Sequence, residues 1–367
     1  MPKGRELHRA ALPPWDEGKE CLLLNPRMSS AWRERIMEAV FPDLPAHIWL
    51  ASSGTGGCLK LVALSRGALE AGAAAVNAHL ASVPSDIWIN PLPLFHVGGI
   101  GIAVRAALSG ARWEKFDCWD AAHFARRAED CAATLTSLVP AQVHDLVRAN
   151  IPAPASLRAA VVGGGALDAE LRAAASHLGW PLLPSYGMTE ACSQVATAAL
   201  GATDFTWLPL LPHMEARTDD AGVLELRGSS LLAGWMVFDG DGTARWEDPK
   251  RDGWLRTADR AELRGRELRV IGRVDDVVKI RGELVDLVAL ERALQARVAT
   301  GAVCLLATSD ERNGVALRVL AESEAAADEA RAAIDVFPPF ARPAVVAVGD
   351  IPRTALGKIV RESAPRV

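Results

Sequence analysis

The sequence contains few lysines, few aromatic residues and no paired cysteine motif, and the cysteine and lysine patterns limit the kinds of site that it can form. Of the 40 basic residues among 367, 7 are lysine and 33 are arginine, and Tyr186 is the single tyrosine. None of the six cysteines forms a Cys-x-x-Cys pair, which argues against a zinc site or a disulfide framework and favours free thiols in a reducing cytosol. Because arginine is the default base, a lysine at a particular position is informative.

Charge and hydropathy exclude two broad classes of partner. The net charge of 40 − 45 = −5 gives no general attraction to nucleic acid or to an anionic membrane. Residues 1–20 are charged throughout and lack the apolar centre of a targeting segment. The longest stretch free of formal charge, residues 87–104, contains two prolines and three glycines and is a poor membrane span. We therefore expect a cytoplasmic protein with no nucleic-acid or membrane partner.

The pattern along the chain predicts an α/β protein with two domains. From about residue 46 to 200, short apolar runs alternate with helical stretches, which favours a mostly parallel sheet. In this pattern His47–Ser53 is a strand, a glycine-rich turn follows it, and residues 65–81 are a helix. Residues 205–272 carry short strands with Gly/Asp turns and predict a β subdomain. A small α/β unit follows, with helices over 285–298 and 323–335 and strands over 302–307, 314–321 and 344–348. We place the boundary near 274, which gives domains 1–274 and 275–367.

A glycine-rich segment, Ser52–Lys60 (SSGTGGCLK), follows the first of these strands. Glycines let backbone N–H groups converge on an anion, and hydroxyls and a lysine add further donors. The segment is not a Walker A loop, because Lys60 lies between two leucines. Taken alone, it fits a phosphate site and an ordinary strand-to-helix turn equally well.

Four further motifs follow in order, and with this segment they resemble one superfamily. They are Tyr186–Glu190 (YGMTE), Trp254–Asp259 (WLRTAD), Gly272–Gly282 (GRVDDVVKIRG) and Pro352–Arg361 (PRTALGKIVR). The ordered set resembles the adenylate-forming superfamily of acyl-CoA synthetases and adenylation domains over roughly residues 45–362. The resemblance implies the adenylate-forming fold, in which a large N-terminal α/β domain with a β subdomain precedes a small mobile α+β domain.

The resemblance also implies a reaction and its co-substrates. A carboxylate attacks the α-phosphate of ATP to form an acyl-adenylate, and the thiol of coenzyme A then displaces AMP. The first step brings two anions together and therefore needs a metal ion, here Mg²⁺, and fixed cations. Residues in the matching motifs are implied to bind ATP or AMP: Ser52, Ser53, Gly54, Thr55, Gly56, Gly57, Lys60, Gly164, Gly165, Ala166, Ser185, Tyr186, Gly187, Met188, Thr189, Asp259 and Arg273.

Within that set the resemblance implies individual roles. Segment 52–60 holds the β- and γ-phosphates, Gly163–Ala166 lies against adenine, and Asp259 and Arg273 reach the ribose. The implied catalytic residues are Thr189, which contacts phosphate, Glu190, which ligates Mg²⁺, and Lys358, which approaches the carboxylate and α-phosphate. Asp275 is implied to be the hinge of the small domain.

The sequence departs from the superfamily pattern at several positions. The superfamily usually has a second Thr where this chain has Gly56, a Pro at Leu59, a Gly at Leu61 and a Gly at Ala258. Gly56 removes one hydroxyl but leaves the backbone donors, so we expect weaker ATP binding rather than none. About 50 residues precede the loop, fewer than in full-length relatives, and we expect a reduced first subdomain.

The segment Pro93–Arg105 carries the information on the acid. Arg105 is the only charged residue between Asp86 and Arg112, and an arginine in apolar surroundings requires an anionic partner. From the residues alone, an arginine that reaches the surface or pairs with a structural Glu is the alternative.

This segment and Ser185–Gln194 resemble the o-succinylbenzoate–CoA ligases of menaquinone biosynthesis. The resemblance implies that Arg105, nine residues after His96, binds the aromatic carboxylate while the succinyl carboxylate reacts. His96, Gly187 and Ser193 are implied to line the substrate pocket, with Gln194 a weaker candidate; a packed core histidine is the alternative for His96.

Other functions compete with this ligase. A ligase for another aryl or short acyl acid, an adenylation domain that loads a carrier protein, and a nucleotide-binding module without catalysis each fit part of the pattern. The sequence does not fix the oligomeric state, and a homodimer is left open. Lys279 and Arg281 fit phosphate contacts to coenzyme A and solvated basic residues equally well.

Overall fold

The computed structural model describes residues 21–44, 47–52, 59–239, 243–274, 277–280, 283–310, 314–334, 342–343 and 345–351. The chain divides into two compact units. The first comprises residues 1–257 and 262–270, and the second comprises residues 258–261 and 271–367. Each unit is described here by itself.

Eight α-helices lie in the described ranges. Five of them begin at a Ser or Asp whose side chain accepts a backbone N–H of the first turn, which satisfies an otherwise unpaired donor: Ser29, Ser65, Asp120, Asp168 and Ser323. The helices are α1 (Ser30–Glu38), α2 (Arg66–His79), α3 (Val97–Ser109), α4 (Ala121–Asp130), α5 (Pro140–Arg148), α6 (Ala169–His177), α7 (Leu287–Gln295) and α8 (Glu324–Ala333).

The described residues also contain 22 β-strands and one short 3₁₀ turn, Thr189–Ala191. The strands are β1 (Cys21–Leu23), β2 (His47–Ser52), β3 (Leu59–Ser65), β4 (Ile87–Asn90), β5 (Arg112–Lys115), β6 (Leu135–Leu138), β7 (Ala159–Val162), β8 (Leu182–Met188), β9 (Ser193–Thr197), β10 (Leu208–Pro209), β11 (Met214–Thr218), β12 (Val223–Gly228), β13 (Gly234–Phe238), β14 (Ala244–Glu247), β15 (Lys250–Arg251), β16 (Trp254–Arg264), β17 (Glu267–Arg273), β18 (Val277–Ile280), β19 (Glu283–Asp286), β20 (Val303–Asp310), β21 (Gly314–Ala321) and β22 (Val345–Val348).

A six-stranded sheet in the order β5-β4-β6-β7-β8-β9 forms the centre of the first unit. Strands β5, β4, β6, β7 and β8 are parallel, and β9 is antiparallel to β8. Trp88 and Ile102 belong to the core on the side of α2 and α3, whereas Phe124 and Leu146 belong to the core with α4 and α5. Because both faces are covered, the strands read as continuous apolar runs, and the predicted α/β class is confirmed.

The helix predicted over residues 65–81 is present as α2 (Arg66–His79), but the sequence analysis missed a strand between the glycine-rich segment and this helix. Residues Leu59–Ser65 form β3, which is antiparallel to β2, and only then does α2 begin. Residues 61–64 are all buried, which explains why apolar and polar side chains do not alternate along this strand. Strands β2 and β3 lie in a second, mainly antiparallel sheet in the order β1-β2-β3-β13-β14, outside the parallel sheet.

The predicted β subdomain between residues 205 and 272 is present. Its sheet has the order β10-β17-β16-β12-β11, and β15 pairs with β16. Ion pairs connect residues on neighbouring strands of this sheet, and one of them joins Arg217 of β11 to Glu225 of β12. The guanidinium groups of Arg264 and Arg269 both contact the ring of Trp207, at 4.9 and 5.2 Å from its centroid.

The second unit contains a three-stranded sheet in the order β20-β21-β22 and a hairpin of β18 and β19. Leu294 of α7 and Ala330 of α8 pack against Leu305 and Val319 of the sheet in one core. The helices and strands predicted between residues 285 and 348 are all present, with ends that differ by at most three residues. The boundary at 274 and the mobility of the small domain remain predictions.

Two further findings bear on the sequence analysis. None of the helices in the described ranges has both the length and the apolar character that crossing a membrane requires. The five cysteines that the structure describes are free thiols, with Cys192 and Cys304 buried.

Candidate active site

Two glycine-containing segments meet at the carboxyl edge of the parallel sheet. Gly163–Ala166 follows β7, and Ser185–Met188 forms the end of the neighbouring β8. Gly164 has a φ of +79°, which favours glycine, and Gly164, Gly165 and Ala166 are exposed. A ligand can therefore approach the backbone here without meeting a large side chain, at the edge where such sheets bind ligands.

The turn between β8 and β9 is shaped by close backbone contact and by strain. The ladder shifts register between Tyr186 and Gly187, and a side chain at Gly187 would collide with the carbonyl of Ser193. Cys192 and Ser193 have φ values of 52° and 101°. Two successive non-glycine residues with positive φ are rare, and such strain concentrates at functional sites.

Glu190 lies in the 3₁₀ turn that connects β8 and β9. Hydrogen bonds from Leu232 and Ser230 hold the backbone of this turn. The carbonyl of Glu190 accepts from the N–H of Leu232 at 2.8 Å, and the carbonyl of Ala191 accepts from Ser230 Oγ at 3.1 Å. The described residues hold no group of three or more His, Cys, Asp or Glu side chains that could bind a metal by themselves. A single carboxylate fits Mg²⁺ that arrives with nucleotide phosphates, since Mg²⁺ usually takes one or two carboxylates plus substrate oxygens.

Arg105 is buried in α3 with a relative exposure of 2% and without a carboxylate partner among the described residues. Its Nη1 donates to Ser137 Oγ at 3.4 Å, and its guanidinium carbon lies 5.1 Å from the ring centroid of Trp88. Burial lowers the pKa of Arg105 from its ordinary value to about 9, so the group remains charged at neutral pH. A buried, unpaired cation at this position is suited to bind an anion.

Ser193 and Arg105 meet around Gly101, which precedes Arg105 by one helical turn. A Cβ atom on Gly101 would stand 2.9 Å from Arg105 Nη2 and 3.7 Å from Ser193 Cβ. The structure therefore brings together two of the residues that the sequence analysis assigned to the acid.

His96 is the N-cap residue of α3, and its ring contacts the ring of Phe95. Asn90 shapes the preceding turn, since its Nδ2 donates to Gly99 O and its Oδ1 accepts from Leu92 N, both at 3.0 Å. Burial lowers the pKa of His96, and its Nε2 has no hydrogen-bond partner among the described residues. A neutral, unpartnered imidazole is compatible with the wall of a substrate pocket as well as with packing.

Gln194 was a weaker candidate in the sequence, and the structure gives it a defined orientation. Thr197 Oγ1 donates to Gln194 Oε1 at 2.6 Å and lies 2.9 Å from Ser185 Oγ. Gln194 is buried, and its Nε2 has no partner in the part of the chain described. The signal for this arrangement, a Ser and a Thr facing each other across β8 and β9, requires the strand register and could not be read from spacing.

The glycine-rich segment Ser52–Lys60, which the sequence analysis assigned to the phosphates and which is called the phosphate segment below, is described only at its two ends. Ser52 and Lys60 face each other as register partners of β2 and β3, and residues 53–58 lie outside the described residues. The ammonium of Lys60 lies 3.8 Å from the ring centroid of Trp235, a residue that the sequence analysis did not select.

In the second unit, Asp259 and Arg273 lie close together. Arg273 Nη1 is 3.5 Å from Asp259 Oδ1, and Asp259 is buried. A carboxylate oriented in this way can accept hydrogen bonds from a diol such as ribose. The hinge residue Asp275 and the catalytic Lys358 predicted for this unit lie outside the described residues.

The first unit therefore defines a class: a three-layer α/β protein with a candidate ligand site at the carboxyl edge of its parallel sheet. Comparison with solved structures gives the fold of the adenylate-forming enzymes. One is the o-succinylbenzoate coenzyme A synthetase from Bacillus subtilis in complex with ATP and magnesium ion, with a TM-score of 0.73, 23% identity, and coverage of 86% of this chain and 68% of that chain. The model of the AMP-binding enzyme family matches residues 25–241, and the chain belongs to this family.

Two curated relatives differ in the acid that they are named for. The 2-succinylbenzoate–CoA ligase of Salmonella typhimurium is 32% identical over 254 residues, which is 65% of this chain and 52% of the relative. The 4-coumarate–CoA ligase-like 6 protein of Oryza sativa subsp. japonica is 30% identical over 309 residues, 72% of this chain and 50% of the relative. The chain thus spans about half the length of these relatives.

Proposed function

We propose that this chain is an ATP-dependent 2-succinylbenzoate–CoA ligase of menaquinone synthesis, which forms an acyl-adenylate and transfers the acyl group to coenzyme A. AMP and pyrophosphate are the other products. The reaction uses ATP, coenzyme A and a small dicarboxylic acid, and it takes place in the cytoplasm. The family membership and the relative from Salmonella typhimurium support this proposal.

The observation that carries the choice of acid is the buried guanidinium of Arg105. It has donors to spare, no carboxylate partner among the described residues, and Ser193 and Ser137 nearby. A dicarboxylate supplies the missing charge with one carboxylate while the other remains free to react. Clamping the distal carboxylate in a fixed position also orients the reacting one.

In the first half-reaction, a carboxylate oxygen bonds to the α-phosphorus of ATP and the bond from that phosphorus to the β-bridging oxygen breaks. Pyrophosphate leaves with both electrons. Segment 52–60 and Thr189 hold the phosphates, and Glu190 holds Mg²⁺, which supplies charge neutralisation at the phosphate oxygens when bound. Lys358 adds a cation at the carboxylate and the α-phosphate.

In the second half-reaction, the thiolate sulfur of coenzyme A bonds to the acyl carbon, and the carbon–oxygen bond to AMP breaks. The thiol proton passes to solvent and AMP leaves as the anion. Arg105 keeps the acid in place through both steps, while Lys358 acts only in the first.

A second candidate is a ligase for an aryl acid without a distal carboxylate. The rice relative named for 4-coumarate supports it, because its identity to this chain is nearly the same. The two candidates differ in one respect: an aryl monocarboxylate gives Arg105 no anion to bind.

A panel of carboxylic acids scored by AMP release, with and without coenzyme A, tests the proposal. We expect 2-succinylbenzoate to be the preferred acid and Arg105→Ala to reduce its kcat/KM by at least about a hundredfold, as loss of a charge-assisted pair does. Arg148→Ala, at the exposed end of α5, is the matched control. Activity that does not depend on Arg105 would contradict the choice of acid and leave the aryl-acid ligase.

Acid-dependent exchange of pyrophosphate into ATP separates an enzyme from a nucleotide-binding module, because a binder gives no exchange. Lys358→Ala should abolish this exchange and spare thioester formation from supplied acyl-adenylate. Equal loss in both half-reactions would contradict the role of Lys358.

A further inference from the structure

Lys60 differs from the other lysines whose side chains the structure describes. Lys115 pairs with Asp117, and Lys250 pairs with Asp248 and donates to two backbone carbonyls. Lys60 has no carboxylate or carbonyl partner in the described ranges, and its ammonium lies over the face of Trp235 instead. A cation on an aromatic face keeps its remaining N–H donors available, whereas one in an ion pair does not.

The strand register places this contact at the base of the phosphate segment. Lys60 faces Ser52 on one side and Val237 of β13 on the other. Trp235 lies two residues from Val237 on the same strand, so its side chain occupies the same face and the diagonal position next to Lys60. The ring is thus beside the first described residues on either side of segment 53–58.

The ring of Trp235 is held by its own N–H. Trp235 Nε1 donates to Glu247 Oε2 at 3.1 Å, and the two residues are register partners of β13 and β14. Arg245 Nε donates to the second oxygen, Oε1, at 2.6 Å. Hydrogen bonds from Trp235 and then from Arg245 lower the pKa of Glu247, so its carboxylate remains ionised and bonded to the ring. The positive charge of Lys60 also lowers the pKa of Glu247, although the two side chains form no direct ion pair. Glu247 therefore fixes the ring by a hydrogen bond and attracts the ammonium that lies over it.

We propose that Trp235 is a positioning residue for Lys60: its indole face, anchored by Glu247, holds the ammonium at the phosphate segment with its donors free for the β- and γ-phosphates of ATP. This inference rests on the proposed function, because it takes ATP as the ligand. The contact limits the rotamers of a long side chain before the nucleotide arrives, which reduces the entropy lost on binding.

Equilibrium binding of ATP and of AMP to Trp235→Leu, Trp235→Tyr and Lys60→Met tests the proposal. Trp235→Leu removes the π face and should weaken ATP binding by about threefold to tenfold. Trp235→Tyr keeps a π face and should bind ATP within about twofold of the wild-type protein. AMP, which lacks the β- and γ-phosphates, should bind equally to all variants. Trp207→Leu removes another cation-contacting indole of the first unit and is the matched control.

The double variant Lys60→Met/Trp235→Leu makes the result specific to this pair. If Trp235 acts through Lys60, the double variant binds ATP as Lys60→Met does. A further loss in the double variant, or unchanged ATP binding by Trp235→Leu, would overturn the positioning role. If the wild-type protein binds no ATP, the proposed function fails and this inference fails with it, whereas loss of the Trp235 effect alone leaves the proposed function intact.

Discussion

The guanidinium of Arg105 occupies the space on α3 where Gly101 has no side chain. A Cβ atom at position 101 would stand 2.9 Å from Arg105 Nη2, closer than real Cβ contacts allow. Since Arg105 is buried and packed between Ser137 and Trp88, its guanidinium cannot move outward without losing these contacts. The orientation of the Arg105 guanidinium, the proposed anion-binding group, therefore depends on the absence of a side chain one turn earlier in the helix.

The variant Gly101→Ala should displace the guanidinium of Arg105. It should therefore weaken binding of the acid and leave binding of ATP unchanged. We expect KM for 2-succinylbenzoate to rise roughly tenfold, because a displacement of about 1 Å is costly for an oriented contact. The measurement is the KM for each substrate, together with circular dichroism to confirm folding.

Gly67→Ala is the matched control for this variant. It is also a helical glycine of the first unit, and a Cβ atom there meets nothing within 4 Å. An equal rise in KM for acid in both variants, or a rise in KM for ATP in Gly101→Ala alone, would contradict the proposed link between Gly101 and Arg105.

The variant Arg105→Met should be more stable than the wild-type protein although it cannot bind the acid. Removing an unpaired buried charge and filling the space with an apolar side chain typically stabilises by about 1–3 kcal/mol. Burial lowers the pKa of Arg105 to about 9 in the folded protein, below its value in the unfolded chain, so the free-energy cost of burying the charge is fully present below pH 9. This cost shrinks as the pH rises above 9, because the folded protein then releases the proton.

Urea unfolding at pH 7 and at pH 10 measures both effects. The stability difference between Arg105→Met and wild type should be smaller at pH 10. Saturating 2-succinylbenzoate should raise the melting temperature of the wild-type protein only. A variant less stable than the wild type at pH 7 would show that Arg105 is held by favourable contacts and is not an unsatisfied charge.

The sequence predicted the features that depend on local pattern. The alternation of apolar runs and helical stretches predicted the parallel sheet. The lack of charge between Asp86 and Arg112 drew attention to Arg105, but it left open whether this side chain reaches the surface, and the structure shows that it is buried. Arg105 on α3 contacts Ser137 and Trp88, which lie on two different strands, β6 and β4. Spacing along the chain contains no information about such neighbours, because they meet only when the sheet has formed.

The features that the sequence analysis missed depend on strand pairing over long separations. Trp235 lies 175 residues after Lys60, and the two meet because β13 pairs with β3. The same pairing explains why Leu59–Ser65 forms a strand, which the sequence analysis missed between the glycine-rich turn and the predicted helix. The left-handed backbone at Ser193 was also missed, since serine carries no signal for a φ of 101°.

The ion pair between Asp86 and Arg158 should stabilise the first unit at neutral pH. Arg158 donates to both oxygens of Asp86, at 2.7 and 3.0 Å, and to the carbonyls of Leu80 and Ala81 beyond α2. Burial alone would raise the pKa of Asp86, but hydrogen bonds from Arg158, the Val83 N–H and Thr134 outweigh it and lower the pKa below 3.8. Its stabilisation is therefore present above the unfolded pKa, near 4, and is lost as the pH falls through the folded value.

We expect Asp86→Asn to lose about 3 kcal/mol of unfolding free energy at pH 7, as buried pairs do when one partner is removed. The difference from wild type should narrow below pH 4. Urea unfolding between pH 3 and 7 measures it, with Asp220→Asn at an exposed position as the control. A difference that is constant over this pH range would contradict a stabilising role of the ionised carboxylate.

The last prediction concerns the strained turn that carries Ser193. Its φ of 101° costs a residue with a side chain roughly 1 kcal/mol, which glycine does not lose. Ser193→Gly should therefore raise the unfolding free energy by about that amount, and Ser193→Val should lower it because a β-branched residue tolerates positive φ poorly. The Ser193 side chain lies beside the space shared by Gly101 and Arg105, so Ser193→Gly should also raise KM for 2-succinylbenzoate. Thermal unfolding and steady-state kinetics on the same preparations separate the two effects. A glycine variant that gains stability with unchanged KM would remove Ser193 from the acid site, and one that loses stability would show that the serine side chain, rather than the backbone, holds this turn.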